Sequence, residues 1–167
     1  GDILPALEAG TIDAAEWCCP KPDSVFGFQK VLKHYYLQGL HQVVVNADMY
    51  INGDVWRSLT PSQQNAMNIA ADASLTRAMA YRIYENGKAL KDLTENHGVI
   101  LHDTPADYFT EYMAATAKLY AKLNEESPFF AKVYNSMKAF ADIAVPYWSG
   151  SQMTNANLGM AYAKQKQ

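Results

Sequence analysis

The chain reads as a helix-rich α/β protein, a small mixed unit in which helices far outweigh strands. Three observations predict that class. Thr60-Pro61-Ser62-Gln63 is a strong helix start, with a capping threonine, proline at the first helical position and glutamine three residues after the cap. Little interrupts the residues that follow until Asn96-His97-Gly98, and the cap-then-proline start recurs at Thr104-Pro105 and Ser127-Pro128. The few stretches that read as strands are separated by helices rather than following one another. A length of 167 residues is enough for one domain with a core, and there is no internal repeat or low-complexity segment.

Taken in order, Ile3 to Ala9 is a short apolar helix stopped by Gly10. Thr11 to Ala15 reads as a brief extended segment, and Cys18-Cys19-Pro20-Lys21-Pro22 as an irregular turn. Asp23 or Ser24 can cap a helix running to about Leu37, with Phe28, Val31, Leu32 and Tyr35 on one face. Gln38-Gly39 ends it. Leu40 to Ile51 alternates with a period of two and is the clearest strand. Asn52-Gly53 is a turn, after which Asp54 starts a short helix carrying Trp56 and Leu59.

The helix opened at Pro61 would span roughly 50 Å at 1.5 Å per residue, more than a small domain needs across its width. Ile69, Ala73, Thr76, Ala80, Ile83, Gly87 and Leu90 form a narrow stripe of mostly small residues, suited to close packing along a seam, with Gly87 a weak point for a bend. Val99-Ile100-Leu101 reads as a short strand, and a helix then runs to about Asn124. The next buries Phe129, Phe130, Val133, Met137, Phe140 and Ala144 at helical spacing until Pro146 and Gly150 break it. Ser151 to Gln167 is polar and Ala-rich, expected either to fray or to dock on another chain.

Composition narrows the function. Hydrophobic residues make up 49% and charged residues 19%, ordinary for a folded protein, and the net charge of -3 with no Lys/Arg run gives no reason to propose nucleic acid. No apolar run approaches the roughly 20 residues of a membrane helix. No signal peptide or initiator Met is seen, and the opening at Gly1-Asp2 reads as part of something larger. Cys18 and Cys19 are the only cysteines, with no second ligand pair and no nearby histidine for zinc, and they read as two small buried hydrophobes rather than redox groups. His34, His41, His97 and His102 form no HExxH or HxH spacing, there is no GxSxG elbow, and no glycine motif cradles phosphate. The expectation is a protein that is not an enzyme. The methionines at 67, 79, 113, 137, 153 and 160 read as packing.

The stretch that stands out is Asp13-Ala14-Ala15-Glu16-Trp17, which delivers a carboxylate and an indole side by side just before the proline-rich turn. Such a pair suits a ligand cleft, one group supplying charge and the other shape. The alternative is a surface Glu16 beside a core Trp17. Ala6-Leu7-Glu8-Ala9-Gly10-Thr11-Ile12-Asp13-Ala14-Ala15-Glu16-Trp17 closely resembles a signature of the solute receptors of TRAP transporters, the DctP-type periplasmic binding proteins. The resemblance continues at Phe26-Gly27-Phe28-Gln29-Lys30-Val31, at Tyr35-Tyr36 and from Ile51 to Pro61. It extends to about Leu123, with a looser fit to the tail, and looks closest to the branch that binds 2-oxo or 2-hydroxy carboxylates with a metal cation.

The resemblance implies the C-terminal part of a two-lobe, type II-like periplasmic binding protein, with residues 1–167 holding parts of both lobes and the N-terminal part absent. It implies a lobe-spanning helix at about 61–96, C-terminal helices at about 105–148 and a tail at 149–167. The implied function is capture of a small organic acid for a TRAP membrane permease in the periplasm, with a cation such as Na⁺ or Ca²⁺ and no organic cofactor. By the same resemblance Glu16 offers a carboxylate oxygen to the cation and Trp17 its backbone carbonyl, while the Trp17 indole walls the pocket. A third position falls at Gln42, where relatives carry Glu; Gln38 and Leu40 likewise replace Pro and Trp. Gln42 can still donate an amide oxygen, to metal or substrate, but removes one negative charge; the alternative is a polar strand start facing water. Tyr35, Tyr36 and His41 are second choices for hydrogen bonds to substrate.

The family's carboxylate-clamping arginine belongs to a motif that would precede Gly1, and Arg57, Arg77 and Arg82 sit in other contexts. The chain is therefore expected to hold about half of a binding site. A homodimer through the C-terminal helix is expected as well. The competing class is a helical interaction module with no small-molecule site, in which Glu16-Trp17 is structural.

Overall fold

The computed structural model describes residues 1–37, 39 and 48–165, which divide into two compact units, Gly1–Ala106 and Asp107–Gln167. In the first unit, helix α1 (Ile3–Glu8) buries Leu7 and ends at Ala9, and Gly10 takes a φ of 68° that L side chains avoid. Residues 11–19 form no regular element. Helix α2 (Pro20–Phe26) starts from Cys19, whose backbone is extended. The prolines expected to make an irregular turn instead lie in the first turn of α2, where a missing N–H costs nothing because no intrahelical acceptor exists.

Gly27 closes α2 at φ 88°, with its N–H on the carbonyls of Asp23 and Ser24. A 3-10 turn at Phe28–Lys30 and strand β1 (His34–Tyr36) follow. The single helix expected from Asp23 or Ser24 to Leu37 is therefore corrected. Phe28, Val31, Leu32 and Tyr35 do have helical spacing, but the left-handed glycine ahead of them turns the chain first, and the tyrosines find a strand partner. Most of the strand expected from Leu40 to Ile51 lies outside the described residues, and residues 48–51 are in no strand.

Helix α3 (Gly53–Ser58) is capped by Asn52, whose Oδ1 accepts from the amides of Asp54 at 2.8 Å and Val55 at 3.2 Å. Helix α4 (Pro61–Asn96) carries the full capping box. Thr60 Oγ1 accepts from the Gln63 amide at 3.3 Å, and Gln63 Oε1 accepts from the Thr60 amide at 2.9 Å. At 36 residues α4 is roughly 54 Å long at 1.5 Å per residue, and it runs without interruption through Gly87. Strand β2 (Ile100–His102) pairs parallel with β1, in the register His34 to Ile100, Tyr35 to Leu101 and Tyr36 to His102. A parallel pair joined by a crossover that contains helices is the α/β arrangement expected. Lys33 fastens this end of the unit, donating to the carbonyls of Gln29 at 2.8 Å and His97 at 2.9 Å.

The buried apolar residues are Leu7, Ala89, Leu93 and Val99, so the core lies around the C-terminal third of α4, against which α2 packs. The stripe along the middle of α4 is uncovered in this chain, with Ile69 59% and Ile83 66% exposed.

The second unit consists of helix α5 (Ala106–Glu126), which opens at the boundary, and helix α6 (Pro128–Lys164). Ser127 caps α6 by accepting from the Phe130 amide at 3.2 Å. Tyr120 of α5 meets Phe130 and Tyr134 of α6 at ring distances of 5.9 and 5.2 Å. Two expectations fail here. α6 does not break at Pro146 and Gly150 but continues to Lys164, taking in most of the segment expected to fray or dock. Proline removes one hydrogen bond and costs about 3 kcal/mol, yet the bonds on either side keep the helix going. Nor are Phe129, Val133, Met137 and Phe140 buried: all are exposed, while Phe130 and Ala144 are partly covered. Among the described residues no helix is long and apolar enough to cross a membrane.

So little apolar surface is covered that this chain alone is expected to bind a hydrophobic dye and to lack a sharp thermal transition. A cooperative melt from a monomeric protein of residues 1–167 would contradict this.

Candidate functional site

Glu16 and Trp17 lie side by side in the irregular connection between α1 and α2, and both are exposed, Trp17 at 44%. The Trp17 ring meets Phe26, the last residue of α2, edge-on at 4.9 Å and 69°. Trp17 is thus neither a core residue nor free on the surface: one edge is held and much of the ring remains open to a ligand.

Beneath this stretch lies a buried carboxylate. Asp23 sits in the first turn of α2, where an acidic residue suits the helix dipole, and its Oδ2 accepts a hydrogen bond from the Tyr35 hydroxyl at 2.6 Å. Oδ1 is buried without a hydrogen-bond partner among the described residues. Burial pushes the Asp23 carboxyl above its ordinary range. The Tyr35 hydroxyl and the nearby backbone amides of Cys18 and Cys19 pull the other way, and the charge on Glu16 adds to the rise. Burial also raises the Tyr35 hydroxyl, followed by the same hydrogen bond to Asp23. Tyr35, a second choice for touching substrate, is therefore a strut from β1 to α2 whose proton is already committed.

Several other groups come close to this connection. The Lys21 amide donates to Asn86 Oδ1 at 2.9 Å, tying the start of α2 to α4. Arg82 of α4 is near enough to act electrostatically on Cys18. The sulfurs of Cys18 and Cys19 are 3.1 Å apart, and Cys18 is exposed while Cys19 is partly so, which corrects the expectation of two buried hydrophobes. The Cys18 thiol is pushed up to about 11, first by its hydrogen bond with Cys19 and then by burial. On the sheet, the β1–β2 register brings His34 Nδ1 within 2.8 Å of His102 Nε2, and Tyr36 stacks on His102 at 5.1 Å.

Of the residues singled out from sequence, the structure keeps Glu16 and Trp17 together with Tyr35 nearby. Gln42 and His41 lie outside the described residues. Sequence reasoning missed Asp23, Arg82 and the His34–His102 pair. Asp23 had a signal, an acid following Pro-Lys-Pro at a helix start, but the paired histidines are 68 positions apart and nothing in their spacing announces them. Among the described residues no three His, Cys, Asp or Glu side chains form a ready-made metal cluster. A cation here would draw instead on a carboxylate, main-chain carbonyls and the bound acid, all hard oxygen donors of the kind Na⁺ and Ca²⁺ take.

The first unit thus sets α2 against the long helix α4, beside a small parallel pair, with Glu16 and Trp17 exposed on the connection that leads into α2. The chain belongs to the bacterial extracellular solute-binding protein family 7, the DctP family, whose profile matches residues 1–127. It is 32% identical over 145 residues to a monocarboxylate 2-oxoacid-binding periplasmic protein of Nostoc sp., a match covering 84% of this chain and 38% of the relative. Among solved structures it is similar to a TRAP transporter solute-binding protein from Bordetella bronchiseptica, at 30% identity and a TM-score of 0.83 over 100% of this chain and 49% of that one. That protein is described as a mixed-occupancy dimer with copurified calcium and picolinate in its occupied site. A TRAP periplasmic solute-binding protein from Pseudoalteromonas atlantica, with bound sodium and pyruvate, shares the fold at a TM-score of 0.76 and 23% identity, over 94% of this chain and 48% of its own. The chain thus spans less than half the length of these relatives.

Asp23 should govern part of the protein's pH response. Its carboxyl is raised in the fold, so between the ordinary carboxylate range and the raised value the native state holds a proton that the unfolded chain has lost. Stability should fall as pH rises through that window. In the full-length protein, Asp23→Asn should flatten this slope in thermal melts. Asp23→Ala, which strands the Tyr35 hydroxyl, should cost about 1–3 kcal/mol at neutral pH. A slope unchanged by Asp23→Asn would refute the assignment.

Proposed function

We propose that this chain is the C-terminal part of a TRAP transporter solute receptor that captures a small 2-oxo or 2-hydroxy carboxylate together with a cation, Na⁺ or Ca²⁺, and delivers it to the membrane permease from the periplasm. The observation that carries the reading is the likeness, over all of this chain, to the Bordetella protein with calcium and picolinate in its site. The name of the Nostoc relative supports the class of acid and the periplasm. In this reading the Glu16 carboxylate and the Trp17 carbonyl hold the cation, the Trp17 indole walls the pocket, and Gln42 supplies a further oxygen to cation or acid. The donor chemistry fits: Glu16 and Trp17 sit side by side on an exposed stretch, where a carboxylate and a main-chain carbonyl are both hard oxygen donors. The bound cation supplies the charge that balances the carboxylate; the chain's own residues hold it, shape the pocket and exclude water. Parts of both lobes and the lobe-spanning α4 belong to this segment, and the remainder of the site is supplied by the rest of the receptor.

Cation dependence gives the direct test. Glu16→Gln keeps the size and one oxygen but deletes the charge, and in calorimetry on the full-length receptor it should weaken pyruvate binding by about 2–5 kcal/mol. Glu8→Gln, on the exposed last turn of α1, should change little. Removal of cations by chelator and sodium-free buffer should weaken binding in the wild type. Wild-type affinity in Glu16→Gln, or affinity indifferent to cations, returns Glu16-Trp17 to a structural role and favours the helical interaction module.

The receptor is also proposed to form a homodimer through α6. Phe129, Phe140, Ile143 and Tyr147 on that helix are each at least 73% exposed, an apolar load that a second copy would cover. The dimeric Bordetella protein supports this. Truncation after Glu126 should turn a dimer into a monomer in sedimentation, and an intact protein that is monomeric at all concentrations would rule the dimer out.

A further inference from the structure

We propose that Cys18 and Cys19 form a redox modification site that closes to a vicinal disulfide on reaction with a small disulfide such as oxidised glutathione, and that closure weakens the neighbouring cation site. Geometry carries the first part. The two sulfurs are already in contact at 3.1 Å, and Cys18 is exposed to a reagent. Cys18 lies in the irregular connection 11–19, outside any helix or strand, whereas the Cys19 carbonyl accepts the first helical bond of α2 from the Asp23 amide at 3.0 Å, so closure draws on rotation about Cys18. Just downstream the chain is fixed, because Pro20 opens α2 and the Lys21 amide is bonded to Asn86 of α4. Upstream, Trp17 rests on Phe26.

The chemistry balances without further reactants. The Cys18 thiol gives up its proton as its sulfur attacks one sulfur of the glutathione disulfide, forming a mixed disulfide and expelling one glutathione thiolate, which takes up a proton. The Cys19 thiolate then attacks the Cys18 sulfur and expels the second. The protein loses two protons and two electrons, and one glutathione disulfide becomes two thiols. The sulfurs must close from 3.1 Å to about 2.05 Å while joined through adjacent residues, so the bond is strained. Strained and exposed disulfides are the easily reduced, regulatory kind.

The second part rests on the receptor reading above. Rotating the Cys18 backbone turns the peptide that bears the Trp17 carbonyl, a proposed cation donor, and shifts the Cys18 and Cys19 amides that act on Asp23. Loss of such positioning typically costs a metal site 10–100-fold in affinity.

The test uses the full-length protein, reduced with dithiothreitol and then equilibrated with oxidised glutathione. Intact mass should show a species lighter by two hydrogens with no glutathione attached, reverting on reduction, and peptide mapping should place the loss on the segment containing both cysteines. Cys19→Ser should stop at the mixed disulfide on Cys18. Wild-type protein that keeps both thiols, or stops at the mixed disulfide, overturns the site. For the coupling, pyruvate is titrated in the presence of calcium. Oxidised wild type should bind about tenfold weaker than reduced or worse, and the double variant Cys18→Ser/Cys19→Ser should be indifferent to the treatment. Equal affinities overturn the coupling. Reduced protein that takes up no pyruvate would sink the receptor reading and the coupling together, while the mass measurement still decides the disulfide.

Discussion

The hydrogen bond from Tyr35 to Asp23 is the constraint on which the first unit depends. It joins β1 to α2, and both are tied separately to the long helix: α2 by packing and the Lys21–Asn86 bond, β1 through Lys33 and the pairing with β2. The connection that carries Glu16 and Trp17 hangs from the start of this braced α2. A carboxylate withdrawn from water is costly unless partnered, and here one oxygen has a partner while the other has none among the described residues. The raised carboxyl is the mark of that cost, accepted at the point where the chain needs rigidity beneath an exposed stretch.

What could be read in the sequence follows from the range of each interaction. The starts of α4 and α6 were legible because capping is local: Thr60 with Gln63, and Ser127 with the Phe130 amide, involve residues three apart. Glu16 and Trp17 were legible because they are neighbours in a motif. Arg82 and the His34–His102 pair were not, because tertiary contacts over dozens of residues bring them to their places, while Asp23 showed only its helix-start signal and not its bond to Tyr35. The region from Asp23 to Leu37 misled for a different reason. Helical spacing was genuine, but a single left-handed glycine at 27 outweighs an apolar pattern, and the tyrosines gained more from pairing with β2 than from extending α2. Pro146 misled in the opposite sense, since proline weakens a long helix without having to end it.

Exposed apolar side chains line both long helices. Ile69, Leu75, Met79 and Ile83 stand out along the middle of α4, far from the covered C-terminal third where Ala89 and Leu93 are buried. Propensity and one capping box cannot hold a 36-residue helix against so much uncovered apolar surface without partners for its faces. The same consideration applies to α6, whose exposed aromatic residues extend past Pro146 to Trp148. In both helices the exposed apolar side chains are written for neighbours that this chain does not itself provide.

Electrostatics gives the proposed role of the cation its physical logic. The wall that carries the candidate site holds two carboxyl groups, Glu16 in the open and Asp23 beneath it; burial raises Asp23, and the Glu16 charge adds to the rise. An organic acid approaching that wall would bring a further negative charge into a partly desolvated space, where unpaired charges cost several kcal/mol. Arg82, the nearby positive group, acts on Cys18 from α4. A wall of this sign therefore binds an acid only if a positive charge stands between them, and oxygen donors such as a Glu carboxylate and a main-chain carbonyl select a hard cation for that place. The metal in this reading is the group that turns an anion-repelling surface into an anion-binding one, so the affinity for the acid and for the cation should each raise the other.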